Sequence, residues 1–352
     1  EPSLCLPRLD DARLQPSNQP YLAQPRLRLL TTQQMASVTK KAQPGTIDPT
    51  GSGSFMVVDC LGPFPAKESD PFLLLHAFGP MDMRRMPPLG MHPHRGFNEV
   101  PYFKMGSSYG TDPWNMSGEG EHAKIIGGQV QWGKTGSGIE HGMRKDESYD
   151  GMMMGFQLWV NLKTENKMDG PVFQNAKPDS LPLLEPAAKV KAKLLVGSHL
   201  SQSSPIDTMG IECQYVDYML EEGGSVIHPR PEGYTSLFVY VYEGAGSFGA
   251  TKVVAKQGEV MCLGPTGDVS IQADQSSKLG CLLLAGVPLK EPIIQHGPFV
   301  MSSRAQIMQA FEDYQRGRFL ASECEYRLHT ANGTEVTRRG IDEAYYHRRD
   351  RM

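Results

Sequence analysis

Gly90-Met91-His92-Pro93-His94-Arg95-Gly96-Phe97-Asn98-Glu99 places two histidines two residues apart in a stretch with strand character. On a β-strand, residues i and i+2 project to the same face. His92 and His94 therefore aim two imidazoles at one point, as a strand presents a chelating pair. Imidazole is a favoured ligand of zinc, copper, iron and nickel. The pair taken alone fits surface or structural histidines better than a metal site. A second segment adds weight: Gly128-Gln-Val130-Gln-Trp132, followed by Gly136-Ser-Gly138-Ile-Glu140-His141. A glycine turn just ahead of His141 can deliver a third imidazole from a neighbouring antiparallel strand. The interval of roughly 50 residues after His92 leaves room for the hairpins of a barrel.

Around these segments the chain reads as all-β. Gly is 37 and Pro 27 of 352 residues, turn chemistry that favours many short strands over long helices. Strand runs include 54–59, 71–75, 190–196, 236–242 and 279–285. In 155–161, Phe156, Leu158 and Val160 alternate with Gln157, Trp159 and Asn161. The strand runs fall in two blocks of similar length, which predicts two antiparallel sandwiches or barrels in tandem. The expected spans are a flexible arm over 1–35, a first domain over 36–185 and a second over 186–300. The proline-rich stretch 175–188 reads as the linker between them. A short C-terminal helix falls within 301–320, with Ser303 and Gln306 as a capping box and Ile307, Phe311 and Tyr314 on one face. Residues 321–352 read as a solvated polar tail, with Arg338-Arg339 and Arg348-Arg349 as a weak nuclear-import or acidic-partner signal.

Composition excludes several classes. Lys plus Arg is 35 and Asp plus Glu 39, a net charge of −4, so no excess positive field gathers nucleic acid or anionic membrane. No run of about 18 apolar residues can cross a membrane as a helix. The six cysteines form no CxxC pair and read as reduced, mostly buried thiols of an intracellular protein. The first 35 residues lack the apolar core of a secretory signal. Their arginines keep an organelle-targeting remnant open. The sequons at Asn115 and Asn332 read as chance matches.

Six segments together resemble the pirin family: His92-Pro-His94-Arg-Gly-Phe97, Val130-Gln-Trp132, Gly136-Ser-Gly138-Ile-Glu-His141, Gln157-Leu-Trp-Val-Asn-Leu162, Asp70-Pro-Phe-Leu-Leu-Leu75 with Phe78-Gly79, and Glu291-Pro-Ile-Ile-Gln-His-Gly-Pro-Phe-Val300. The resemblance runs from about Ser37 to Phe319. It implies a bicupin, two cupin-type antiparallel β-barrels, with a mononuclear non-haem iron in the first domain and no metal in the second. That agrees with the lack of an HxH pair in 190–300, where His199, His228 and His296 read as lone structural or surface residues. The resemblance carries three His ligands onto His92, His94 and His141. The family's Glu ligand falls on Met143, a poor donor for iron(II) but one that suits a softer metal such as copper. The Glu of the first motif is displaced as well, with Asn98 at its position and Glu99 following. Three histidines with open or water-filled positions are the preferred ligand set. Glu99 brought inward by a bulge is the next choice, and Glu140 the third. His122 is a fallback ligand, and His76 reads as a core-edge residue.

The resemblance implies a quercetin 2,3-dioxygenase-type enzyme acting on a flavonol-like small molecule, with Glu99 as the catalytic carboxylate. Two alternatives stand beside it. One is a redox-sensitive nuclear module that binds a transcription factor, with Arg95 facing the partner or else salt-bridged on its strand. The other is a bicupin with a degraded site. A monomer in the cytoplasm or nucleus, contacting neither nucleic acid directly nor membrane, completes the expectation.

Overall fold

Short apolar runs punctuated by glycine and proline become strands in the computed structural model, which describes residues 35–48, 56–86 and 89–349. The expected arm lies almost entirely outside the described residues. The first domain contains β1 (Phe72–Asp82), β2 (Leu89–His94), β3 (Phe97–Met105), β4 (Ser107–Thr111), β5 (Lys124–Ile126), β6 (Val130–Lys134), β7 (Ile139–Lys145), β8 (Met152–Asn161) and β9 (Val172–Ala176). The larger of its two sheets runs β1–β8–β3–β6–β9, and the smaller runs β2–β7–β4–β5. The second domain is built from β10 (Cys213–Leu220), β11 (Ser225–His228), β12 (Ser236–Phe248), β13 (Val269–Ala273) and β14 (Leu279–Gly286) with shorter strands around them. Its central order is β12–β14–β10, with β11 on β13 and β13 on β12. The all-β, two-domain expectation holds.

The two domains bury their apolar residues in different places. In β8, Phe156, Leu158 and Val160 face a core shared with the second domain, where they join Tyr215, Phe238, Tyr240, Leu282 and Leu284. Asp217, wholly buried, ties the domains further. It accepts from the Tyr102 hydroxyl at 2.6 Å, the Lys104 ammonium at 2.6 Å and the Tyr242 hydroxyl at 2.7 Å. Such a carboxylate is tolerable only when its lone pairs are filled in this way. The inside of the second domain is packed solid with Leu194, Val216, Val239, Ile271, Leu283 and their neighbours. The opposite face of β8, with Gln157 and Trp159, borders a cavity of about 710 Å³ between the two sheets of the first domain. That volume falls in the range of small-molecule pockets.

The ends of the chain depart from the expected spans. Strand 38–42 pairs antiparallel with 260–263 and so joins the sheet of the second domain. Residues after Phe319 are not a solvated tail. β15 (Glu323–Thr330) and β16 (Gly333–Gly340) form a hairpin, followed by α2 (Glu343–Arg349). β15 docks parallel to β9, an exception to the antiparallel expectation. The polar, arginine-rich composition of this stretch reflects its outer strand: β16 is mostly exposed, while Cys324, Tyr326 and Leu328 on β15 point inward. The presumed linker 175–188 also has structure, contributing the end of β9 and a strand at Leu183–Ala187.

The expected helix is α1 (Arg304–Gln315), and the Ser303 hydroxyl accepts from the Gln306 amide at 3.3 Å. Ile307 packs with Phe299, Met301 and Phe319, and Phe311 and Tyr314 lie against the same cluster. No helix among the described residues is long and apolar enough to cross a membrane.

Candidate metal centre

His92 and His94 leave the same face of β2, as the i, i+2 rule requires. Pairing of β2 with β7 places His141 directly opposite His92. The three rings lie 4.5 to 5.0 Å apart, centroid to centroid. One ligand nitrogen from each falls within 4.8 Å of the other two. This is the arrangement expected from the sequence, and among the described residues it is the one cluster of three or more His, Cys, Asp or Glu donors with this proximity.

Hydrogen-bond partners orient the rings. His92 Nδ1 faces the Gly90 carbonyl at 2.8 Å, and His94 Nδ1 faces the Pro298 carbonyl at 3.4 Å. His141 Nδ1 lies 3.1 Å from Glu99 Oε1. A carbonyl only accepts, so the contacts of His92 and His94 assign their protons to Nδ1 and leave their Nε2 lone pairs for the centre, while Glu99 Oε1 is close to His141 Nδ1 without the alignment of a hydrogen bond. The Nε2 atoms of His92 and His141 stand 3.1 Å apart. Two lone pairs at that distance repel unless a proton or a cation lies between them. Burial keeps the rings neutral. It pushes His94 down to about 3 and His141 well below the usual histidine range, and neighbouring imidazoles add to both shifts. Neutral, convergent imidazoles are what a divalent ion requires.

The turn between β2 and β3 aims His94. Gly96 sits at φ +88°, where a Cβ would fall 2.1 Å from the Val300 carbonyl oxygen. Buried Lys167 donates to the carbonyls of Gly96 at 2.6 Å and Val300 at 3.1 Å and to Asn161 Oδ1 at 2.7 Å. Arg95 is buried, with Asp313 of α1 at 2.8 Å and the Phe319 ring at 4.4 Å. It therefore offers no surface to a partner, and the salt-bridged alternative is the one observed.

Glu99 reaches the site without a bulge. Its pairing with Gly133 and Trp159 continues the regular register of Asn98 with Lys134 and Val160. Alternation alone turns Glu99 toward His141, while Asn98 turns away and accepts from Trp132 Nε1 at 3.1 Å. Gly133 makes the space, since a Cβ there would lie 3.0 Å from Glu99 Cγ. The Glu99 carboxylate is fully buried behind His141 and is not part of the cavity wall. Burial raises its pKa to about 8, against a lowering hydrogen bond from Gln157 at 3.3 Å.

The other candidates lie elsewhere. Glu140 points to the far face of β7 and accepts from the Tyr345 hydroxyl. His122 stands near Glu335, at 3.7 Å, and is outside the triad. Met143 Sδ accepts from the Ser108 hydroxyl at 3.2 Å, and its side chain lies against an apolar cluster with Phe78, Met86 and Phe103. His76 is on the cavity wall, as are Gln131, Gln157 and Trp159. The alternation in 155–161 exposed these last two, but nothing in the sequence said that the face opposite the apolar one borders a cavity.

The Pirin family pattern matches residues 59–160 and the pattern of the Pirin C-terminal cupin domain matches 215–320. A pirin-like protein of Solanum lycopersicum is 34% identical over 250 residues, covering 71% of this chain and 81% of the relative. The chain belongs to the pirin family. Pirin of Homo sapiens is 32% identical over 255 residues, covering 72% of this chain and 83% of that protein. Among solved structures, a quercetin 2,3-dioxygenase from Acinetobacter baumannii has a TM-score of 0.71 at 27% identity, covering 81% of this chain and 98% of that one. The fold is accordingly a bicupin.

Within this pirin-family chain the described residues of the second domain hold no comparable cluster of donors. β11 carries His228 at its end, followed by Pro229 and Arg230, and pairs with β13 so that His228 opposes Val269. His228 is not alone in space, however. Its ring stacks on His199 at 4.7 Å, and both rings contact the Tyr218 hydroxyl, at 2.9 and 3.0 Å. Burial pushes His199 down to about 4. Folded His199 thus stays neutral while the unfolded chain takes up a proton below about pH 6.5. Its contribution is complete above that pH and is lost as pH falls to about 4, an effect on the order of 3 kcal/mol. His199→Gln is expected to flatten the fall of Tm between pH 6.5 and 4 relative to wild type. Parallel Tm curves would count against this assignment.

Proposed function

We propose that this protein is a metal-dependent dioxygenase of the quercetin 2,3-dioxygenase type, with iron(II) held by His92, His94 and His141 in the first domain. The observation that carries the reading is the convergence of three imidazoles, kept neutral by burial, on the wall of a cavity of about 710 Å³. A bound divalent metal supplies Lewis acidity that lowers the pKa of a coordinated hydroxyl.

The chain's own residues do the rest. Leu74, Phe78, Phe103, Ile125 and Trp159 form an apolar wall suited to flat aromatic rings. Among the described residues that wall carries no Lys, Arg, Asp or Glu, so it favours a neutral polyphenol over an anionic substrate. His76 is its titratable group outside the triad. Glu99, with Oε1 3.1 Å from His141 Nδ1, is placed to hold that ring in the tautomer that offers Nε2 to the centre once its carboxyl is ionised. With Met143 in place of a carboxylate, the ligand set is three neutral imidazoles, and any further position is open to substrate or solvent.

Oxygen uptake with quercetin after anaerobic loading with iron(II) tests the proposal. Uptake well above that of metal-free protein is expected; equal rates would remove the enzymatic reading. The solved dioxygenase structure and the cavity favour this over the transcription-partner reading, since buried Arg95 removes the surface feature on which the latter leaned.

A further inference from the structure

Both family matches stop by residue 320, yet the chain beyond that point is built into the metal-bearing domain. Cys324 and Tyr326 of β15 enter a cluster with Trp114, Ile139 and Phe173. The Tyr326 hydroxyl donates to Asp112 Oδ1 at 2.6 Å. Both residues border a polar cavity of about 20 Å³ shared with His122 and His141, room for one water molecule. The Asp342 amide donates to the Pro113 carbonyl at 2.7 Å. α2 then brings Tyr345, 5% exposed, onto Glu140, itself 6% exposed.

We infer that residues 323–349 are a working part of the metal centre: they close the rear of β7, and Tyr345 acts through Glu140 as a positioning residue for His141. The inference rests on the triad as the metal site. Glu140 and His141 leave opposite faces of one strand, so holding one sets the direction of the other. The ladder with β2 is regular from Ile139 to His141 and shifts just after it, so His141 is the last residue of β7 held in that register. A buried carboxylate needs a donor to stay inward. The Tyr345 hydroxyl provides one, and that hydrogen bond determines the rotation of β7 at this point.

Two full-length variants test the inference, Tyr345→Phe and Glu140→Gln, with two readouts. The first is the ring nitrogen NMR signals of His141 in metal-free protein. The second is cobalt(II) titration, which gives affinity and the ligand-field spectrum. Tyr345→Phe is expected to shift the His141 signals, alter the cobalt bands and weaken cobalt binding about 10-fold. Glu140→Gln retains an acceptor for Tyr345 and is expected to stay within about 3-fold of wild type. His141 signals and cobalt affinity unchanged in Tyr345→Phe would overturn the inference. So would an equal loss in Glu140→Gln, which would assign the effect to charge rather than position. If wild-type protein binds no cobalt, the metal reading falls and the His141 signals alone decide the role of Tyr345.

Discussion

Replacing His94 with alanine is expected to bring bound metal from one ion per chain to near zero after gel filtration, with affinity reduced roughly 10²- to 10³-fold. The estimate follows from sharing the binding energy of a protein-held divalent ion among its few ligands. His94 suits the test because it is the most deeply buried of the three and contributes no charge. Its ring packs edge-on against Trp159 at 5.2 Å and Phe97 at 5.3 Å, so His94→Gln serves as a volume-preserving companion. Elemental analysis of protein purified without chelator makes the measurement. Equal metal content in wild type and both variants would place the ion elsewhere, or show that no ion is held.

Glu99→Gln is expected to weaken metal binding 10- to 100-fold while changing the shape of the cavity little. The carboxylate sits 3.1 Å from His141 Nδ1 and does not line the cavity. Its effect must pass through the imidazole. A glutamine there can present its amide nitrogen to Nδ1, which favours the wrong tautomer and withdraws the Nε2 lone pair from the centre. Metal titration of wild type and variant above pH 8, where the Glu99 carboxyl is ionised, checks this. Unchanged affinity combined with lost turnover would return Glu99 to a direct part in the chemistry.

The site was more legible than its surroundings. His92, His94 and His141 could be read from the sequence because strand periodicity fixes which residues share a face, and antiparallel pairing brings turn-flanked segments together. The same periodicity separates Asn98 from Glu99, yet the sequence reading invoked a bulge to turn Glu99 inward. The bulge was unnecessary because Gly133, on the adjacent strand, clears room for an ordinary inward side chain. That clearance belongs to a neighbour remote in sequence, and no local pattern signals it. The C-terminal hairpin was misread for a related reason. Its outer strand faces solvent and dominates the composition, while the burial of Tyr326 and Tyr345 exists only against β9 and β7.

By itself, the sequence determined the strand-rich class, the two-domain division and the three imidazoles on inward faces, since each follows from short-range alternation and turn chemistry. Tertiary structure alone decided which side of β8 would be solid and which hollow. Phe156, Leu158 and Val160 would seal any core, but here they seal the join between domains, leaving Gln157 and Trp159 to line an open chamber. A strand's apolar face specifies that it will be buried, not against what, because the hydrophobic effect is non-directional and any complementary surface satisfies it.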